Sequence, residues 1–122
     1  MSLKTIRLEL ARTHEFPQGS ADRGYEFVAP LDADGHLDRD GWHSHRDRCA
    51  VRRFWAGEAE ERGRLVHRGS GWYFHYDGMD AEDDEPIFKF DRHTFKTGEY
   101  VSVTEHDGEM RPFKVVSVTD AR

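Results

Sequence analysis

The sequence predicts a mostly β fold, a small antiparallel barrel or rolled sheet of about seven short strands with one short helix, as a single domain over residues 1–122. Three observations carry this. Apolar and polar residues alternate in short runs, the period of a strand with one buried face. Turn residues punctuate the runs, and nothing shows the strand–helix–strand rhythm of a parallel sheet. Eight Phe, four Tyr and three Trp make up 12% of the chain, and each ring buries roughly 150–250 Å². A core can therefore form although 34% of residues are charged and only 36% are hydrophobic. A sandwich is the alternative arrangement, and 122 residues are too few for two cores.

The first strand is expected from Thr5 to Leu10, where Ile6, Leu8 and Leu10 share one side. A polar connection with Pro17, Gly19 and Ser20 follows, and Tyr25, Phe27 and Ala29 mark a second strand that Pro30 should stop. Asp38 is placed to cap a short helix over Arg39 to Arg48, which could rest on the sheet through Trp42. From Cys49 to Trp55 both faces carry bulky groups: Cys49, Val51, Arg53 and Trp55 on one, Arg52 and Phe54 on the other. Leu65–Arg68 and Trp72–Tyr76 flank Gly69, Ser70 and Gly71, read as a hairpin with a three-residue loop. Asp77 to Glu85 holds six acids and no base, which predicts a mobile, self-repelling surface loop. Ile87, Phe88 and Phe90 form a short strand after Pro86.

The clearest hairpin lies at the end, where Tyr100–Glu105 and Arg111–Val118 flank Asp107-Gly108. A two-residue turn would set Val101 opposite Lys114. A three-residue loop with a glycine bulge instead puts Val101 and Val103 on the face of Phe113 and Val115, so the pattern favours the odd loop. Val116 and Val118 then fall out of phase, which requires a bulge near Val115 and Val116 or burial on both faces.

Function is less legible. A net charge of -6 argues against a general nucleic-acid binder. No apolar run approaches the roughly 18 residues of a membrane span, and Lys4, Arg7 and Glu9 interrupt any leader, so a soluble cytoplasmic protein is expected, with no membrane partner. The single Cys49 allows no internal disulfide. Asp32, Asp34 and Asp38 match inner positions of a calcium loop around Gly35, but Pro30 and Gly41 occupy its two ends, so an Asp-Gly turn is the better reading. The hairpin pairing of His67 with Tyr73 and Leu65 with His75 would bring His67 and His75 to one face, where His93 could complete a zinc site. No Gly-x-Ser-x-Gly elbow or phosphate loop is present.

The expectation is thus a small binding or interaction module without catalysis. Its ligand would be an unknown protein or small molecule, held in a cleft of Arg53, Trp55, Trp72 and Tyr76. No cofactor is predicted, with zinc or calcium as the exceptions, and the chain is expected to be a monomer or homodimer. A hydrolase using a metal or a histidine–carboxylate pair is one alternative, and a single-strand nucleic-acid platform of arginines and rings is another. The segments Arg53-Phe54-Trp55, Asp83-Asp84-Glu85-Pro86 before Phe88 and Phe90, and Gly98-Glu99-Tyr100-Val101-Ser102 ahead of Glu105-His106-Asp107-Gly108 resemble a family of small uncharacterised bacterial proteins. That resemblance carries no catalytic signature and implies no activity.

Overall fold

A computed structural model describes residues 1–78, 84–88, 94–105 and 107–121. Its strands are β1 (Ser2–Leu10), β2 (Ser20–Leu31), β3 (Ala50–Trp55), β4 (Glu61–Arg68), β5 (Gly71–Tyr76), β6 (Glu85–Phe88), β7 (Tyr100–Thr104) and β8 (Met110–Asp120). Each pairs antiparallel with the next, and β8 returns to β1, closing a barrel. The expected mostly-β barrel is therefore the fold.

Alternation builds the interior. Ile6, Leu8 and Leu10 from β1 meet Tyr25, Phe27 and Ala29 from β2, Phe74 from β5, and Phe113 and Val115 from β8. Tyr25 stacks on Phe74 at 5.0 Å and meets Phe113 edge-on at 5.1 Å. An eight-stranded barrel is just wide enough for side chains to fill, and here rings fill it.

Helix α1 (Arg39–His45) closes one end. Asp38 caps it as expected, accepting from the Gly41 amide at 3.0 Å. A short 3₁₀ turn, Arg46–Arg48, ends the predicted helical stretch. Trp42 rests on the barrel, donating from Nε1 to the Leu65 carbonyl at 2.8 Å and meeting Trp72 edge-on. Pro30 does not stop β2. Its carbonyl accepts from Asp38, on the side of the strand where pairing with β3 has ended at Phe27, so the missing amide leaves no ladder bond unmade.

The β7–β8 hairpin takes the odd loop. Val101 lies opposite Phe113 and Val103 opposite Arg111, and the Gly108 amide bonds the Glu105 carbonyl at 2.9 Å with Gly108 at φ +82°. Ile6 pairs with Val118 but Leu8 with Val115, so one extra residue bulges out and brings Val115 and Val118 to their partners.

The β4–β5 hairpin corrects the sequence reading. Arg68 pairs with Gly71, leaving a two-residue turn of Gly69 and Ser70. Leu65 then lies opposite Phe74 and His67 opposite Trp72. This register buries Leu65 with Trp72, Phe74 and Tyr76, whereas the three-residue loop would have set Leu65 with the half-exposed Tyr73 and His75. The acidic stretch is also corrected at its far end. The Asp84 side chain is 2% exposed and Glu85 is buried in β6, while residues 79–83 lie outside the described residues.

Candidate functional site

At the barrel end away from α1, the inward row turns from apolar to charged. Arg53 follows Val51 on β3, Arg111 precedes Phe113 on β8, and Glu105 follows Val101 and Val103 at the end of β7. Glu105 is the hub. It accepts from Arg53 Nε at 3.1 Å, Arg111 Nη1 at 2.9 Å and the Tyr25 hydroxyl at 2.6 Å. Glu85 accepts from the Tyr76 hydroxyl at 2.6 Å and lies 3.0 Å from that of Tyr25, whose single proton serves the shorter contact to Glu105.

Charge and burial act together on these groups. Burial holds the Tyr25 phenol well above its usual range, and the neighbouring Tyr76, Glu85 and Glu105 charges push the same way. Burial, then Glu85, raises Tyr76 likewise. Arg53 resists burial through its neighbours Tyr25 and Glu105 and stays charged. Paired, hydrogen-bonded charges are what a low-dielectric interior tolerates.

Trp55 is half-buried at this mouth. The Arg53 guanidinium lies 4.5 Å from its ring centroid, Arg111 5.7 Å and Arg23 5.8 Å, with Phe16 edge-on at 6.5 Å. Glu58 and Glu61 pair with Arg53, and Asp107 and Glu109 with Arg111. Arg53 and Arg111 are thus matched by carboxylates, whereas Arg23 forms no ion pair among the described residues: its Nη1 donates to the Ser20 hydroxyl at 3.0 Å and its buried Nε has no hydrogen-bond partner among them.

The four expected cleft residues are not gathered into one cleft. Arg53 and Trp55 are in contact, and Tyr76 is linked to them through the buried Glu85 and Glu105 carboxylates, which share the Tyr25 hydroxyl. Trp72 packs at the α1 end, 4.6 Å from His67 and 5.9 Å from Trp42. Tyr76 and Trp72 are core rings, 1% and 3% exposed. The expected zinc set separates too, because His67 shares the inward parity of Trp72 whereas His75 shares the outer parity of Tyr73. His93 lies outside the described residues.

Asp32, Asp34 and His36 bring ligand atoms within 4.8 Å of one another. Asp32 Oδ1, however, accepts from the amides of Asp34 at 2.8 Å and His36 at 3.0 Å, bonds that fold the turn and hold the Asp32 carboxyl below its usual range. With Asp38 committed to the helix cap, the turn reading explains this loop. Cys49 is buried, and burial raises its thiol to about 11, which makes it a poor nucleophile.

Two grooves open on the outer wall. One, of about 770 Å³, runs between the β1–β2 connection and β8, with Arg12, Gln18, Tyr100, Lys114 and Val116 along it and Glu9, whose carboxylate accepts from Arg7 Nε at 2.8 Å, opposite Lys114. Tyr100 is 55% exposed, and neither Arg12 nor Lys114 forms an ion pair with a described residue. The other, of about 480 Å³, crosses β2, β3 and β4 past Arg52, Arg62, Arg64 and Asp77. Beyond its end, Asp84 Oδ1 meets His75 Nδ1 at 2.5 Å and Asp84 Oδ2 meets Arg68 at 2.5 Å.

Sequence reasoning missed Glu85, Glu105, Arg111 and Asp84. A signal existed for two of them: Glu105 continues the parity of Val101 and Val103, and Arg111 that of Phe113 and Val115. No helix among the described residues is long and apolar enough to cross a membrane. No family model matches this chain, nor does any curated protein or solved structure.

Proposed function

We propose that this protein is a small binding module that holds an anionic, ring-bearing ligand in the groove between the β1–β2 connection and β8. The carrying observation is the pairing of the half-exposed Tyr100 ring with Arg12 and Lys114, two cations without carboxylate partners among the described residues, along a groove of about 770 Å³. That volume suits a small molecule. The apolar surfaces of Pro112 and Val116 can take up ligand carbon, while the cations supply charge. Among the described residues, the groove's lining supplies cations, a ring and apolar surface, which supports binding.

The test is a titration with 8-anilinonaphthalene-1-sulfonate, followed by amide chemical shifts. Shifts should cluster on the groove residues, and the double variant Arg12→Glu/Lys114→Glu should weaken binding at least tenfold. Shifts centred elsewhere, or an unchanged affinity in the double variant, would refute the assignment.

A further inference from the structure

We propose that His75 is an acid–base group for hydrolysis of small anionic esters on the outer face of β4 and β5. This site is separate from the β8 groove and goes beyond the binding role assigned there. The argument starts with Asp84, whose side chain is 2% exposed although it lies on the outer wall. A carboxylate that acts only as surface charge has no reason to be buried. Here one oxygen holds the His75 ring at 2.5 Å and the other meets Arg68 at 2.5 Å, and Arg68 is itself laid over the Tyr73 ring at 4.8 Å. The carboxylate is therefore hydrogen-bonded to His75 through Oδ1, while Oδ2 has an ion-pair contact to Arg68 without a hydrogen bond.

A carboxylate only accepts from the ring, so in the neutral imidazole Nδ1 carries the proton and the lone pair sits on Nε2. Nε2 has no partner among the described residues, and the His75 side chain is 32% exposed. Arg64 lies directly opposite His75 across the β4–β5 ladder, a position that sets Cβ atoms about 5 Å apart. Its guanidinium forms no ion pair among the described residues, and it lines the 480 Å³ groove beside Arg62 and Asp77. Asp77, two residues beyond His75, lines that groove with Glu26 and Asp47, against Arg52, Arg62 and Arg64, and Glu26 is taken up by Arg7 and Arg52. A carboxylate-bearing ester can place its charge on Arg64 and its carbonyl at His75.

In the reaction, Nε2 takes a proton from water as the water oxygen bonds to the ester carbonyl carbon. The tetrahedral intermediate then expels the alkoxide as the C–O bond breaks, and the imidazolium returns the proton to it. Arg64 binds the substrate anion, and Asp84 is a positioning residue.

The test compares hydrolysis of 4-nitrophenyl hemisuccinate and 4-nitrophenyl acetate by the intact chain and its variants. His75→Gln should slow the hemisuccinate at least tenfold, whereas His45→Gln should leave it within twofold. Arg64→Ala should slow the hemisuccinate about tenfold and the acetate less than twofold. Asp84→Asn should lower kcat while holding KM within twofold. If Asp84→Asn fails to fold, the part-exposed His75→Gln, checked by its melting temperature, decides alone. A wild-type rate equal to that of His75→Gln overturns the proposal, and equal losses on both esters in Arg64→Ala overturn the anion contact.

Discussion

Replacing Glu105 with Gln removes a single charge from the centre of the barrel mouth. Three donors converge on this side chain: Arg53 at 3.1 Å, Arg111 at 2.9 Å and Tyr25 at 2.6 Å. Breaking a buried ion pair by deleting one partner costs about 3–5 kcal/mol, because the other charge stays desolvated. Two features favour the lower end. Arg53 keeps Glu58 at 3.3 Å and Glu61 at 3.5 Å, and Arg111 keeps Asp107 and Glu109. The amide also retains one acceptor oxygen. A loss of about 3 kcal/mol follows, which corresponds to a fall in melting temperature of about 12 °C for a domain of this size. Urea unfolding followed by tryptophan fluorescence and far-UV circular dichroism measures it. A loss below about 1 kcal/mol with an unchanged m-value would show that Glu105 is not the hub.

Two further outcomes follow from titration. Tyr25 and Tyr76 have folded-state values raised by burial and nearby carboxylates, so the folded chain keeps both protons at pH values where the unfolded chain loses them. Their contribution is complete below about pH 10 and lost above it, reaching about 3 kcal/mol for the pair at pH 11. Absorbance at 295 nm during a base titration should show both phenols ionising only as ellipticity is lost, and Tyr76→Phe should remove one of these late steps. Cys49, buried with its thiol raised to about 11, should react with Ellman's reagent at pH 8 only at the rate of unfolding; rapid labelling of the folded chain would contradict its placement.

The sequence disclosed those parts of the fold where neighbouring residues settle the outcome. Alternation in Thr5–Leu10, the Asp38 cap and the parity of Val101, Val103, Phe113 and Val115 are local patterns, and each reappears in the structure. The β4–β5 turn was ambiguous because Gly69, Ser70 and Gly71 accept either loop length, and only the distant partners of Leu65 and Phe74 choose between them. Pro30 misled because the rule against proline in a sheet concerns an amide that must find a partner, and where β3 ends is a property of the whole sheet. The charged hub was hidden by type: glutamate beside a hairpin or in an acidic run reads as surface, although the row of Val101, Val103 and Glu105 shows where it points. Asp84 looked like one acid among six. Its partners Arg68 and His75 lie on β4 and β5, 16 and 9 positions earlier in the chain.

The hub also bears on how the chain folds. Tyr25 is 80 positions from Glu105, and Arg53 is 52. A folding chain that had assembled β1 to β5 would hold Tyr25 and Tyr76 against a half-built interior while Glu85 and Glu105, which match them, were still to arrive with β6 and β7, and Arg53 would have only Glu58 and Glu61. Such a state carries the desolvation cost without the compensating bonds, so it should not accumulate. A one-residue slip of β7 or β8 fares no better, since it turns Glu105 or Arg111 outward and strands the rest. The charged cluster thereby works against misregistered closure, at the expense of slow, all-or-none assembly dominated by contacts between distant parts of the chain.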